Sequence, residues 1–291
     1  MDALVVSSPA KINLGLSVGR KRPDGFHDLV TVMVLLELRD TVEICRAASG
    51  IEVTADSESV PSGPANLAYQ AAEEFFRASH IRPGCRIRIR KRIPVGSGLG
   101  GGSSNAATAL TGLNRLFDRP LARPRLHRIA VTLGSDVPFF LRDCACVARG
   151  RGERLRPIRL PRLDVLLYFP GYPVSTAWAY AALDRARCRP PGLTSFRLSP
   201  KILGLSLRQH ELNRAAAQVG NDFEPVVFRR HPDLCRVKEL LLRHSAFAAA
   251  LSGSGSTVYG LVEDKGWKDP MAALARHGFH LVKTRTTQPA V

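Results

Sequence analysis

No apolar run in this sequence approaches the length needed to cross a bilayer, and the longest clean ones are segments such as Val165-Leu166-Leu167-Tyr168-Phe169. A membrane-spanning helix is not expected, and a globular chain is. The start, Met1-Asp2, lacks a basic stretch ahead of an apolar one and reaches Lys11 early, so no signal peptide is expected and the cytoplasm is the expected compartment. Paired cysteines are missing too. Cys45, Cys85, Cys144, Cys146, Cys188 and Cys235 are scattered without a CxxC pair or a histidine at ligand spacing, and are expected to be reduced and packed. The eight histidines are equally dispersed, which argues against a zinc site. Aromatic residues make up only 7% of the chain, and no run interleaves them with base-reading side chains. No segment repeats at a fixed period.

Acidic residues are also in deficit, 25 against 42 lysines and arginines, for a net charge of +17. Such a field attracts polyanions, including nucleic acid, and phosphorylated small molecules as well. Part of the charge follows a strand period. Between 85 and 93, Cys85, Ile87, Ile89 and Ile93 take the odd positions and Arg86, Arg88, Arg90 and Arg92 the even ones, which predicts a strand with one solvated face. A length of 291 residues with 45% hydrophobic content allows two domains with real cores.

The most informative stretch is Pro94-Val95-Gly96-Ser97-Gly98-Leu99-Gly100-Gly101-Gly102-Ser103-Ser104. Its glycines let the backbone approach a bulky ligand and turn successive N–H groups toward one point, which suits an anion. Ala106, Ala109, Leu110, Leu113, Leu116 and Phe117 then recur at helical spacing, so a helix is expected to begin where the glycines stop. Its N-terminus adds to the same phosphate-sized site, with Ser103 and Ser104 as extra donors or metal-facing oxygens. No lysine precedes the hydroxyl residues, as a Walker A loop requires, and no acidic residue sits about twenty positions on in a second βαβ strand, the region there being Arg- and Pro-rich.

Other candidates lie around this loop. Residues 3–18 read as the first strands, and Ile12, Leu14, Leu16 and Val18 alternate with Asn13, Gly15 and Ser17, which sets Lys11 and Asn13 together on the face opposite the apolar one. Pro23-Asp24-Gly25 predicts a turn that sets Phe26 and His27 side by side, where the histidine either packs or meets a ring-shaped ligand. Asn66 reads as the cap of a helix through Phe76. Asp136, two residues before Pro138, is either a cap or turn former, or a carboxylate held near the phosphate loop. The Arg-Gly-rich stretch 149–154 reads as an inter-domain boundary, 188–212 as loop, and 251–257 as a second glycine loop. A helix near 268–276 and a strand near 279–285 close the chain.

Three stretches together resemble the GHMP family of small-molecule kinases: Pro9-Ala10-Lys11-Ile12-Asn13-Leu14, Pro94 to Ser104, and Leu251-Ser252-Gly253-Ser254-Gly255-Ser256. Gly100-Gly101-Gly102-Ser103-Ser104-Asn105-Ala106-Ala107, Arg22-Pro23-Asp24-Gly25-Phe26-His27 and Leu133-Gly134-Ser135-Asp136-Val137-Pro138-Phe139 narrow the resemblance to members acting on a cytidylylated alcohol. It spans 9 to about 260, with 181–215 and the tail unsupported.

The resemblance implies a two-domain α+β fold. Residues 1–155 would be an ATP-binding domain similar to domain 2 of ribosomal protein S5, and 156–291 the GHMP C-terminal domain, with the active site in the cleft between. ATP would place its triphosphate on Pro94, Val95, Gly96, Ser97, Gly98, Leu99, Gly100, Gly101, Gly102, Ser103 and Ser104, with Asn66 toward the adenine. Cytidine would meet His27 and stack between Phe26 and Tyr180, with Asn13 also on the substrate. Family members often carry Tyr where this chain has Phe26 and Phe where it has Tyr180, and either ring can stack. Asp136 would take the hydroxyl proton, and Lys11 would keep it ionised and stabilise developing charge. Magnesium is expected with ATP; no carboxylate is plainly dedicated to it, and Ser104 is a weak candidate ligand. The expected partners are the two small molecules, with neither nucleic acid nor membrane, and the chain is expected to be a monomer or homodimer.

Overall fold

The computed structural model describes residues 3–82, 84–188, 195–263 and 266–287. In chain order its elements are β1 (Ala3–Lys21), β2 (His27–Ala47), β3 (Ile51–Ala55), α1 (Leu67–Ser79), β4 (Gly84–Arg90), α2 (Gly101–Leu116), α3 (Arg123–Leu133), β5 (Cys146–Gly150), β6 (Arg154–Pro157), β7 (Asp164–Tyr168), α4 (Thr176–Cys188), α5 (Pro200–Arg208), α6 (Leu212–Ala216), β8 (Gly220–Asn221), α7 (Glu224–Arg230), α8 (Pro232–Arg243), β9 (Ala246–Leu251), β10 (Val258–Val262), α9 (Lys268–Arg276) and β11 (Leu281–Arg285). They form two compact units interleaved in sequence. The first takes residues 1–10, 38–95 and 100–143, and the second 11–37, 96–99 and 144–291.

In the first unit β4 pairs antiparallel with the second half of β2 and parallel with β3. The period-two pattern of β4 holds: Ile87 and Ile89 are buried while Arg86, Arg88 and Arg90 face solvent. The isoleucines pack with Val42, Ile44 and Val53 under the apolar faces of α1, α2 and α3. Asn66 caps α1 as its sequence suggests, its Oδ1 accepting from the Ala68 N–H at 2.8 Å while Nδ2 donates to the Pro61 carbonyl at 2.8 Å. Removing such a cap costs about 1 kcal/mol. Asn66→Ala is therefore expected to lower the unfolding free energy by that amount, read in urea as a lower midpoint with an unchanged slope.

α2 begins inside the glycines rather than after them. Gly100, at φ 71°, is its N-cap, and Gly101 and Gly102 are already helical. Small residues let this helix lie deep. It is buried almost all round from Ser104 to Asn114, and a Cβ on Gly112 would lie 2.3 Å from Ile44 Cδ1.

In the second unit β11, β7, β10 and β9 form a four-stranded antiparallel sheet, and α4, α7, α8 and α9 contribute to the core beside it. The first half of β2 pairs with β5, and β5 turns back into β6 with Arg149 opposite Arg154, so the 149–154 stretch forms the bend of a hairpin. Two readings need correcting. The 188–212 stretch contains α5, capped by Ser199 and buried through Leu203 and Leu207, because Ser199-Pro200 is a helix start signal; residues 189–194 of that stretch lie outside the described ones. Cys188 is exposed rather than packed, although none of the six cysteines is in a disulfide. Burial pushes the Cys85 thiol up to about 12 and leaves it unreactive at neutral pH. Among the described residues no helix is long and apolar enough to cross a membrane.

Candidate active site

The second unit brings the three distant motif stretches to one backbone atom. β1 runs buried through 10–16, so Lys11 and Asn13 share one face of it, as the alternation requires, but that face is inside the protein, at 3% and 5% exposure. Lys11 Nζ donates to Asn13 Oδ1 at 2.7 Å and to the Gly98 carbonyl at 2.8 Å. The same carbonyl accepts from Ser252 Oγ at 3.1 Å, out of the second glycine loop. Backbone bonds fasten the rest: Lys11 N–H donates to the Leu99 carbonyl and Thr257 N–H to the Ser97 carbonyl, both at 3.0 Å. The Lys11 amine is thus buried, with two oxygen acceptors from separate segments among its partners.

Gly98 is the point where the loops interlock. Its φ is +80°, and a Cβ there would lie 2.2 Å from the Ser252 carbonyl oxygen and 2.8 Å from that of Gly255. The second loop is itself held by Asn221, whose Nδ2 donates to the Leu251 and Gly253 carbonyls at 2.8 and 2.7 Å, while Oδ1 accepts from the Phe223 N–H. Tyr259, fully buried, donates its hydroxyl to the carbonyls of Asn13 and Leu14 and pins β1 beneath Lys11. Burial holds that phenol protonated, its pKa well above the ordinary value. Neither residue belongs to a motif, and neither is visible as functional in the sequence.

The turn after β1 forms as Pro23-Asp24-Gly25 predicts. Gly25 N–H donates to the Arg22 carbonyl, Gly25 takes φ +83°, and Arg22 N–H donates to the Phe26 carbonyl. Phe26 is 48% exposed, with the Arg151 guanidinium 4.6 Å over its ring. His27 is packed and oriented: Nε2 donates to Asp184 Oδ1 at 2.8 Å, and its ring stacks on Tyr180 at 4.8 Å between centroids. Donation at Nε2 follows from the carboxylate's being an acceptor, and Nδ1 is the other ring nitrogen. Tyr180 also meets Phe223 edge-on. One face of Tyr180 is thus covered by His27, and one face of the half-exposed Phe26 by Arg151.

The remaining candidates belong to the first unit. Pro94 and Val95 lead into the glycines; Ser103 is half-buried on the first turn of α2, next to the exposed Gly102. Ser104 faces the interior, fully buried, its Oγ accepting from Ser8 Oγ at 2.8 Å. Asp136 is the N-cap residue of a short 3-10 turn over Val137–Leu141, where its backbone carbonyl accepts from the Phe139 N–H at 3.1 Å and its side chain makes no cap hydrogen bond. Among the described residues no group of three His, Cys, Asp or Glu could hold a metal ion.

The family model for the N-terminal domain of GHMP kinases matches residues 66–143, and that for the C-terminal domain matches 203–273. A Geobacter sulfurreducens protein named 4-diphosphocytidyl-2-C-methyl-D-erythritol kinase is 41% identical over 267 residues, covering 91% of this chain and 92% of its own length. The chain belongs to the GHMP kinase family.

A Pelotomaculum thermopropionicum protein of the same name is 39% identical to this GHMP kinase over 284 residues, at 96% coverage of both. A crystal structure of a 4-(cytidine 5'-diphospho)-2C-methyl-D-erythritol kinase superposes with a TM-score of 0.82 at 34% identity, covering 97% of this chain and 99% of that one. Homoserine kinase from Cytophaga hutchinsonii, at 16% identity and a TM-score of 0.75, shares the fold. The expected two-domain mixed helix-and-sheet architecture of the GHMP kinases is therefore present.

Proposed function

We propose that this GHMP kinase transfers the γ-phosphoryl group of ATP to a hydroxyl of 4-diphosphocytidyl-2-C-methyl-D-erythritol, giving the 2-phosphate, in non-mevalonate isoprenoid precursor synthesis. The observation that carries the reading is the buried Lys11 ammonium at the junction of both glycine loops, in a chain about 40% identical to kinases of that name over nine-tenths of its length.

The triphosphate lies on Pro94 to Ser104, where glycine N–H groups and the first turn of α2 supply donors and positive dipole. ATP arrives as its magnesium complex, the cation travelling with the substrate and neutralising phosphate charge. The adenine lies toward the start of α1, which Asn66 caps. The acceptor oxygen forms a bond to the γ-phosphorus as the bond from phosphorus to the bridging oxygen breaks, leaving ADP. The hydroxyl proton passes to the Asp136 carboxylate. Lys11 stabilises the charge that develops on the transferring group, and its amine is aimed by Asn13 and Gly98. Cytosine stacks on the half-exposed ring of Phe26, while His27, oriented by Asp184, and Tyr180 behind it form the other wall. The protein acts in the cytoplasm, as a monomer or homodimer, without nucleic acid.

The direct test supplies purified protein with magnesium-ATP and a panel of alcohols that includes the cytidylylated methylerythritol, and follows phosphorylated product. Transfer to that alcohol alone supports the reading; transfer only to alcohols without a nucleobase, or salt-sensitive RNA binding with no transfer, overturns it. Phe26→Ala separates these further. Loss of one base–aromatic stack is worth about 1–3 kcal/mol. The KM for the cytidylylated substrate is then expected to rise about tenfold, with the KM for ATP unchanged.

A further inference from the structure

Both ends of the phosphate loop are fastened to one buried carboxylate that belongs to no motif. Asp40, on β2, has no solvent exposure. Its Oδ1 accepts from the N–H groups of Arg92 and Ile93, at 2.7 and 2.9 Å, immediately before the loop. Its Oδ2 accepts from Lys91 Nζ at 2.5 Å and from Asn105 Nδ2 at 3.0 Å, just after the loop on α2. Asn105 Oδ1 accepts in turn from Lys91 at 3.2 Å, and its Nδ2 also donates to Ser8 Oγ, which donates to Ser104. Every acceptor site of a fully buried anion is used, so the group is satisfied rather than strained. The space is tight as well, since a Cβ on Gly101 would come within 3.1 Å of Lys91 Nζ.

We infer that Asp40 is a positioning residue for phosphoryl transfer: with Lys91 and Asn105 it fixes the distance and angle between the strand exit at 91–93 and the first turn of α2. The N–H groups of Pro94-to-Ser104 can converge on a triphosphate only if those two anchors are held. A purely structural ion pair would link two elements of the core. This one links the flanks of a single ligand loop, and through backbone amides as well as side chains. The inference rests on the proposed reading that ATP binds this loop.

Magnesium-ATP binding by the wild-type protein is measured first by calorimetry, and its absence overturns reading and inference together. Asp40→Asn keeps the shape and one acceptor but presents an amide to Asn105 and removes the charge opposite Lys91. It is expected to raise the KM and Kd for magnesium-ATP about tenfold or more, leave the KM for the alcohol within twofold, and speed amide hydrogen exchange over 96–104 selectively. Ser8→Ala cuts the network at its far end with the ion pair intact, and covers the case in which Asp40→Asn does not fold. It is expected to shift ATP affinity in the same direction by a few-fold. Wild-type ATP binding with every folded variant of the two unchanged in ATP KM, or with the KM values for ATP and the alcohol rising together, overturns the inference while leaving the proposed function standing.

Discussion

Asp136→Ala is expected to reduce kcat by about 10²–10⁴-fold, the usual contribution of a positioned general base. Lys11→Ala is expected to lower kcat by a comparable 10²–10³-fold and to lower stability as well. It removes a donor from Asn13 Oδ1 and from the Gly98 carbonyl, leaving Ser252 on the latter. Breaking buried charge-assisted hydrogen bonds costs about 1.5–3 kcal/mol, so this variant is expected to melt below the wild type. Steady-state kinetics and calorimetry on both variants check this. Near-wild-type turnover by folded Asp136→Ala would remove it as the base.

Gly98→Ala is expected to be the most damaging small substitution in the second unit. A methyl group there meets two backbone carbonyl oxygens of the 252–255 loop, at 2.2 and 2.8 Å, and neither is the end of a flexible chain. Positive φ adds about 1–2 kcal/mol for a residue with a Cβ. Gly25→Ala isolates that part, because Gly25 has φ +83° and nothing within 4 Å of the added atom. Gly25→Ala is expected to cost about 1 kcal/mol in urea unfolding. Gly98→Ala is expected to cost at least twice that and to abolish measurable ATP binding. Equal costs for the two, with ATP binding retained, would show that the loops do not depend on this close approach.

How much of this was readable beforehand varied with the kind of signal. α9 lies on the expected 268–276, and β4 buries its isoleucines and exposes its arginines as a two-residue period demands. α2 starts earlier than its sequence suggests, because glycine propensity argues against helix whereas a first turn needs no side chains and here gains from having none. β9, Ala246–Leu251, is alanine-rich and carries no strand-like composition; it is a strand because β10 pairs with it and it is buried along nearly its whole length. Lys11 and Asn13 were correctly placed on one face, but alternation cannot say that both faces are inside. Asp40, Asn221 and Tyr259 were invisible for a simple reason. Each works by meeting carbonyl, amide or side-chain groups brought from far along the chain, and no local pattern encodes such a meeting.

The second unit is assembled from residues 11–37, four residues of the glycine loop and everything after 143. During synthesis on a ribosome its first part, the β1–β2 hairpin over 11–37, must therefore wait for its partners β5 and β8 until well over a hundred further residues have been translated. Its central sheet needs β11, which is nearly the last segment to emerge. Such long-range closure slows folding and leaves apolar strand exposed meanwhile. Nascent chains halted just short of Leu281 should remain protease-sensitive throughout 144–280, whereas the first unit, finished by residue 143, should already resist digestion.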